Sequence, residues 1–114
     1  MITLAHLQHV AWEIAETQGL HDNLRDFPHR EATLIRLALI HTEVSEAAQE
    51  VKRHGVSPQN TRVIGEELAD VLIRVADLAE ELAIDLSLEV DVKLSMNRNR
   101  PYKYGTPEEE KRQL

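Results

Sequence analysis

Residues 37–51 read LALIHTEVSEAAQEV, and residues 64–82 read IGEELADVLIRVADLAEEL. In both stretches apolar side chains recur at alternating spacings of three and four residues, as in a helix that packs along a partner helix. The apolar positions are Leu37, Ile40, Val44, Ala47 and Val51, then Ile64, Leu68, Val71, Val75, Leu78 and Leu82. Because only a short connection around Gly55 and Pro58 separates the stretches, we predict two long antiparallel helices packed side by side.

Glycine and proline residues mark the ends of the other predicted segments. We predict a first helix over 3–18, a loop over 19–28, the long helices over 29–54 and 61–83, and a fourth helix over 87–98. The fourth segment alternates apolar and polar residues from Leu86 to Leu94, which is also the periodicity of a strand. Since no other segment offers a strand to pair with it, we interpret it as a helix that ends before Pro101.

The expected fold class is therefore all-α, with one domain over residues 1–105 and a charged, flexible tail over 106–114. A chain of 114 residues suffices for one hydrophobic core and hardly for two. The lack of cysteine excludes a disulfide framework and a thiolate metal site. No apolar run approaches the roughly 20 residues that span a membrane, and the first residues lack the features of a signal peptide. We therefore expect a soluble cytoplasmic protein.

The formal net charge of −7 is unevenly distributed along the chain. Residues 1–90 are strongly acidic, whereas 91–107 form a basic strip that includes Lys93, Arg100 and Lys103. An acidic chain is not expected to bind nucleic acid polymers, because basic residues must replace the counterions of the phosphate backbone. The acidic part is instead compatible with binding cations.

Acidic side chains precede the apolar positions of both long helices by one residue. Glu43 and Glu46 do so in the first helix, Glu67 and Asp70 in the second, so two acidic pairs lie on one flank of the helix pair. Glu50 precedes the apolar residue Val51 in the same way. Oxygen-only ligands of this kind suit hard cations such as Mg²⁺ or Mn²⁺ rather than zinc. The alternative is a solvated acidic flank, since acidic residues are common on exposed helix surfaces.

Two further features are candidates for binding a ligand. Lys93, Asn97 and Arg100 are spaced to lie on one face of the fourth helix, where they can compensate the charge of phosphate groups. The alternative is a basic helix end that the helix dipole favours. Trp12 is the only tryptophan, and it can either stack on a nucleobase or fill a core or interface position.

These motifs resemble those of a known family. The segments 43–46 (Glu-Val-Ser-Glu) and 67–70 (Glu-Leu-Ala-Asp) resemble the ExxE…ExxD signature of MazG-like nucleoside triphosphate pyrophosphohydrolases, an all-α superfamily. The Lys-x-x-x-Asn-x-x-Arg-Pro ending over 93–101 agrees with it, and the resemblance extends over residues 30–105. Some members have a histidine at the position of Tyr104, so a role for that histidine does not carry over to this chain.

The resemblance implies a four-helix bundle that hydrolyses an NTP or dNTP between the α- and β-phosphates, releasing a monophosphate and pyrophosphate. Mg²⁺, with Mn²⁺ as a substitute, would be held by Glu43, Glu46, Glu67 and Asp70 and would activate a water molecule. Glu46 or Glu50 would take the proton of that water. Lys93, Asn97 and Arg100 would bind the phosphates.

The acidic flank needs cover to become a pocket, and four helices in a chain this short leave it poorly covered within one copy. We therefore expect a homodimer or homotetramer. The alternative function is a non-catalytic helical module for oligomerisation or regulation, whose acidic residues only keep it in solution.

Overall fold

The computed structural model describes residues 1–101, and within them the chain forms four α-helices and no strand. The helices are α1 (Leu4–Thr17), α2 (His29–His54), α3 (Thr61–Glu81) and α4 (Leu86–Arg98). This confirms the all-α prediction and the helical interpretation of the alternating segment. The loop predicted over 19–28 is partly wrong, because Asp22–Asp26 form a short 3₁₀ helix. Tyr104 and the predicted tail over 106–114 lie outside the described residues.

Local sequence signals determine where the helices begin and end. The side chain of Thr3 accepts a hydrogen bond from the His6 N–H at the start of α1, and Asp85 caps α4 in the same way. α2 ends at Gly55, whose φ of +67° favours glycine. The buried Asn60 side chain bonds the backbone of Gly55 and Ser57, and it thereby closes the turn that makes α2 and α3 antiparallel neighbours. None of the described helices combines the length and apolarity that a membrane crossing requires.

α2 meets α3 by a different face from the one predicted. Leu37 and Val44 are 45% and 50% exposed, although the apolar pattern predicts them in the helix contact. The partly buried series on α2 is instead Ile40, Glu43, Ala47 and Glu50, which has the same three–four spacing. Both series share Ile40 and Ala47, so spacing alone does not distinguish them. With this face of α2 turned toward α3, the side chains of Glu43 and Glu50 lie within the α2–α3 contact rather than beside it.

α1 also packs along α3, and small side chains are buried at this contact. The buried apolar residues of the described chain are Ala11, Ala15, Ala76, Leu78 and Ala79. Alanine lets two helices approach closely, but it buries little apolar surface. Many larger apolar side chains, Leu34, Leu68 and Leu72 among them, remain more than half exposed. A single copy therefore leaves much apolar surface in contact with water.

α4 follows a linker that the Gln8 side chain holds. The buried Gln8 amide donates to the Ile84 carbonyl at 2.6 Å, and its oxygen accepts from the Leu86 N–H at 2.9 Å. Ala83 adopts a left-handed backbone conformation in the same linker. α4 makes its extended helix contact with α1 alone, and every residue from Leu88 to Arg100 is exposed.

Candidate metal centre

Three of the four predicted metal ligands converge at the contact between α2 and α3. Glu43, Glu46 and Glu67 each contribute one carboxylate oxygen, and these oxygens all lie within 4.8 Å of one another. Glu43 and Glu46 are three residues apart on α2, and Glu67 projects from the antiparallel helix α3. We call these three side chains the acidic cluster. Their spacing in the sequence and the antiparallel pairing are sufficient to predict it.

Glu67 is the least satisfied member of the acidic cluster. Its Oε2 atom is buried and has no hydrogen-bond partner. Burial raises the pKa of the Glu67 carboxyl, and the nearby carboxylates of Glu46, Asp70 and Glu43 raise this pKa further. A buried acceptor without a donor is unfavourable. A cation among these oxygens would be a partner for Glu67 Oε2 and would also offset the repulsion between the carboxylates. The donor set therefore fits a hard divalent cation.

Asp70 stands at the edge of the acidic cluster. It is not among the oxygens that converge within 4.8 Å, but it is close enough to raise the pKa of Glu67. Asp70 and Glu43 also line a cavity of about 410 Å³ between α1 and α3. Its predicted role as a fourth ligand stays a prediction.

Arg74 contributes to the site in a way that the sequence analysis missed. Its Nε atom donates to Glu43 Oε1 at 2.7 Å, and the Glu43 side chain is only 12% exposed. The two residues are 31 positions apart in the sequence. Helical spacing relates Arg74 to Asp70 and Asp77, so no local pattern indicates this long-range pair. Arg74 balances part of the negative charge of the cluster.

An open depression of about 420 Å³ lies beside the acidic cluster on the α2 side. It is lined by Thr42, Ser45, Glu46, Gln49, Glu50, Arg53 and Glu67. The predicted proton acceptors Glu46 and Glu50 both face this space. Arg53, Gln49 and Thr42 provide hydrogen-bond donors that suit phosphate oxygens. The depression thus joins ligands for a cation to donors for an anion.

The predicted phosphate-binding residues on α4 are not at the cluster within one chain. Lys93 and Asn97 are exposed on α4, and Arg100 follows the end of that helix. No α4 residue lines the cavity or the depression that border the acidic cluster. The spacing therefore predicts a shared face on α4, but it does not predict where this face lies relative to the carboxylates.

Trp12 belongs to a separate part of the structure. Its Nε1 atom donates to Glu81 Oε2 at 2.6 Å, and its ring lies 5.4 Å from the ring of His21. Trp12 borders a cavity of about 370 Å³ with Phe27 and His29, and no residue of the acidic cluster lines this cavity. The contacts support a structural role, and stacking on a base stays a prediction.

His21 is the centre of a buried polar network that sequence reasoning missed. The side chain is 6% exposed, with Nδ1 2.7 Å from Glu16 and Nε2 2.9 Å from Asp77. Arg36 pairs with Asp77 at 2.9 Å, so α1, α2, α3 and the 3₁₀ segment meet here. Arg25, and then His21, lower the pKa of the Glu16 carboxyl. His21 falls in a segment predicted as loop, and no spacing pattern links it to Asp77.

Comparisons with protein-family models, with curated proteins and with solved structures give no match for this chain.

Metal-free protein is expected to lose stability relative to Glu67→Gln as the pH rises. The pKa of Glu67 is raised in the folded state, so the protonated side chain favours folding. This contribution to stability is complete below the ordinary glutamate pKa of about 4.3. The contribution is lost as the pH rises through the higher pKa of the folded state. The difference in Tm between the two proteins, measured in EDTA from about pH 4 to about pH 8, tests this. A difference that does not change with pH contradicts it.

Proposed function

We propose that this protein is a Mg²⁺-dependent nucleoside triphosphate pyrophosphohydrolase of the MazG-like kind, which cleaves an NTP or dNTP between the α- and β-phosphates. The observation that carries the proposal is the convergence of Glu43, Glu46 and Glu67, with the unpartnered Glu67 Oε2 buried among them. The adjacent depression supports it, because a cation site and phosphate-binding donors share one space.

The competing function is a helical module whose acidic residues only interact with water. Such residues gain nothing from burial, because a desolvated carboxylate without partners destabilises the folded state. Glu67 Oε2 is buried in the helix contact without a hydrogen-bond partner, and Glu67 has a raised pKa there. Burial of this kind favours a site that binds a cation over a solvated flank.

The chemistry assigns distinct tasks to the residues around the depression. Glu43, Glu46 and Glu67 would hold Mg²⁺, with Asp70 near them. When bound, Mg²⁺ supplies charge neutralisation at the phosphates and makes water a stronger acid.

Around this group, the other side chains would bind the substrate and move a proton. Glu50 lines the depression four residues after Glu46, where a carboxylate can accept a proton from the attacking water. Glu46 also lines the depression and is the other candidate for this role. Arg53, Gln49 and Thr42 would donate hydrogen bonds to phosphate oxygens and orient the substrate.

A substrate panel tests the reaction. Purified protein is incubated with the common NTPs and dNTPs in Mg²⁺ and, separately, in EDTA, and the products are separated by ion-exchange chromatography. We expect the monophosphate and pyrophosphate from at least one nucleotide, in Mg²⁺ only. Formation of a diphosphate and inorganic phosphate would place the cleavage at the wrong bond. No cleavage of any nucleotide would contradict the proposal.

Binding of a nucleotide is expected to change the fluorescence of Trp12 if this residue stacks on the base. The chain has no other tryptophan, so the emission reports on this position alone. Arg36, which borders the Trp12 cavity, precedes Glu43 by seven residues, about 10 Å along α2 and within the reach of a nucleoside triphosphate. A titration with a non-hydrolysable nucleotide and Mg²⁺ is expected to quench the emission. If nucleotide binds and the emission does not change, Trp12 has the structural role of its contact with Glu81.

Exposed apolar residues support the proposed homodimer or homotetramer. Leu34, Leu37, Val44, Leu68 and Leu72 lie on α2 and α3 and are all at least 45% exposed. An apolar surface of this extent is typical of a protein that associates with a partner. Sedimentation of the purified chain determines the oligomeric state.

A further inference from the structure

Arg74 uses one nitrogen of its guanidinium group for a bond within the chain. The Nε atom donates to Glu43 Oε1 at 2.7 Å, across the contact between α2 and α3. Within residues 1–101, neither Nη1 nor Nη2 of Arg74 makes a hydrogen bond or an ion pair. An arginine has five N–H donors, of which Nη1 and Nη2 carry all but one. Arg74 is therefore an anchored side chain whose terminal donors are not used by the described residues.

The acidic residues next to Arg74 on its own helix do not take these donors. Asp70 and Asp77 stand four residues before and three residues after Arg74, which are the spacings of ion pairs along a helix. Asp77 pairs instead with Arg36 at 2.9 Å. Among the described residues, the ion pair of Arg74 is with Glu43. The fold thus directs Arg74 away from its helical neighbours and toward a candidate metal ligand.

A ligand can reach the Arg74 side chain. This side chain is 40% exposed, and it lines the cavity of about 410 Å³ between α1 and α3 together with Glu43 and Asp70. Of the described residues that line this cavity, Arg74 is the only basic one. A ligand that enters the cavity therefore meets Arg74 and the edge of the acidic cluster together.

The charge of the site indicates which kind of ligand needs Arg74. When ionised, Glu43, Glu46 and Glu67 carry three negative charges, of which Mg²⁺ would offset two. Asp70 adds a negative charge nearby. A polyphosphate is repelled by such a site unless a positive side chain stands beside it. Arg74 is a positive side chain in direct contact with the cluster.

We propose that Arg74 binds the phosphate chain of the substrate, with Nε held by Glu43 and with Nη1 and Nη2 donating to oxygens of one phosphate group. The inference rests on the proposed function for the identity of the anion as a nucleoside triphosphate. Glu43 would be a ligand of the cation, so the guanidinium group lies beside the position of a cation-bound phosphate. The planar guanidinium fork matches the spacing of two phosphate oxygens.

The bond to Glu43 makes Arg74 suited to the reaction as well as to binding. Negative charge develops on the phosphate oxygens in the transition state, and donors that are already in place stabilise this charge. Because Glu43 orients the guanidinium group before the substrate binds, little reorganisation is needed at the moment of reaction. Arg74 is thereby a catalytic residue that the helical spacing of the sequence does not reveal.

Binding of inorganic triphosphate tests this role without any reference to cleavage. This probe has the phosphate chain of an NTP and lacks the base and the sugar. Its Kd is measured by isothermal titration calorimetry, at a Mg²⁺ concentration that gives the full rise in Tm for each variant. Arg74→Met keeps the length of the side chain and removes its charge and donors. We expect it to bind the probe about 30-fold more weakly than wild type, the loss typical of a charged hydrogen-bonded contact.

Two further variants separate a direct contact from an effect of net charge. Arg62→Met removes one positive charge from the same helix, and Arg62 is an exposed residue that pairs only with Glu66 among the described residues. It is expected to bind inorganic triphosphate as tightly as wild type. Arg74→Lys keeps the charge, but one ammonium group does not reproduce the fork between Glu43 and a phosphate. We expect it to bind about 10-fold more weakly than wild type.

Several outcomes overturn the proposal. Wild type that does not bind inorganic triphosphate is one, and Arg74→Met that binds it as tightly as wild type is another. Equal losses in Arg74→Met and Arg62→Met would show an effect of net charge alone. Loss of the Mg²⁺-induced rise in Tm in Arg74→Met would show that Arg74 only holds Glu43 for the cation. If Arg74→Met does not fold in EDTA, the lysine variant decides, and wild-type affinity in that variant overturns the proposal.

The outcome for Arg74 is distinguishable from the outcome for the proposed function. Wild type that binds inorganic triphosphate through Arg74 and cleaves no nucleotide contradicts the pyrophosphohydrolase and supports the phosphate contact. Wild type that cleaves a nucleotide, with the same kcat/KM in Arg74→Met, supports the pyrophosphohydrolase and overturns the role of Arg74.

Discussion

Glu67→Gln is expected to reduce Mg²⁺-dependent hydrolysis about 1,000-fold, because it removes the charge of the carboxylate whose buried Oε2 atom has no hydrogen-bond partner. Glutamine keeps the shape of the side chain and remains neutral, so it relieves the repulsion from Glu43 and Glu46 without offering an anionic ligand. The variant is therefore expected to fold at least as well as wild type in EDTA. Loss of activity and retention of stability together distinguish a metal centre from a structural cluster.

Two measurements test this prediction. The first is the initial rate of pyrophosphate release at saturating nucleotide and Mg²⁺. The second is the rise in Tm on adding Mg²⁺, which for a ligand at 100 times its Kd corresponds to about 2.7 kcal/mol in wild type. Both are expected to be lost in Glu67→Gln.

Glu66→Gln is the matched control, because Glu66 is the adjacent residue on α3 and makes only an exposed pair with Arg62. It is expected to keep both the rate and the Mg²⁺ effect. If Glu67→Gln keeps the activity of wild type, the cluster is not the metal centre. If both variants lose activity equally, the effect comes from the overall charge of α3 and not from the cluster.

The positions of the helices could be predicted from sequence because their ends depend on local chemistry. Gly55, Pro28 and the caps at Thr3 and Asp85 act within one turn of the chain. The acidic cluster was also predictable, since it needs only helical spacing on two helices and a short antiparallel connection. The signals at the helix ends, the helical spacing and the antiparallel pairing of α2 with α3 are therefore enough to predict the candidate site from the sequence.

The contact face of α2 could not be predicted in the same way. Apolar periodicity favours Leu37 and Val44, but Glu43 and Glu50 occupy the contact with α3. A rule based on burying apolar surface places acidic residues outside a contact, so it fails where buried carboxylates serve a site.

The buried network around His21 was not predictable, because its members come from separate segments. Asp77 accepts from Arg36 and lies against His21, and these partners are 41 and 56 positions away in the sequence. The interaction depends on how α1, α2 and the 3₁₀ segment pack on α3. Only the tertiary structure brings these charges together.

This network leads to the largest stability effect that we expect. Asp77→Ala removes the acceptor of both Arg36 Nη2 and His21 Nε2, and the Arg36 and His21 side chains are 9% and 6% exposed. Arg36 then keeps a longer pair with the more exposed Glu81, at 3.6 Å. Breaking a buried pair of the Arg36–Asp77 kind nevertheless destabilises proteins by about 3 kcal/mol or more. The alanine-rich core of the described chain provides little apolar burial to offset this loss. Thermal unfolding is expected to show a Tm lower by at least about 10 °C.

Two variants distinguish the loss of a buried acceptor from the loss of any ion pair. Asp22→Ala breaks the Arg25 pair, in which both side chains are more than half exposed, and it is expected to change the free energy of unfolding by less than about 1 kcal/mol. Asp77→Asn keeps one acceptor oxygen, and its Tm is expected to fall between those of wild type and Asp77→Ala. If Asp77→Ala unfolds at the same temperature as Asp22→Ala, the network does not hold α1, α2 and α3 together. The stability of these three helices then comes from the alanine contact between α1 and α3.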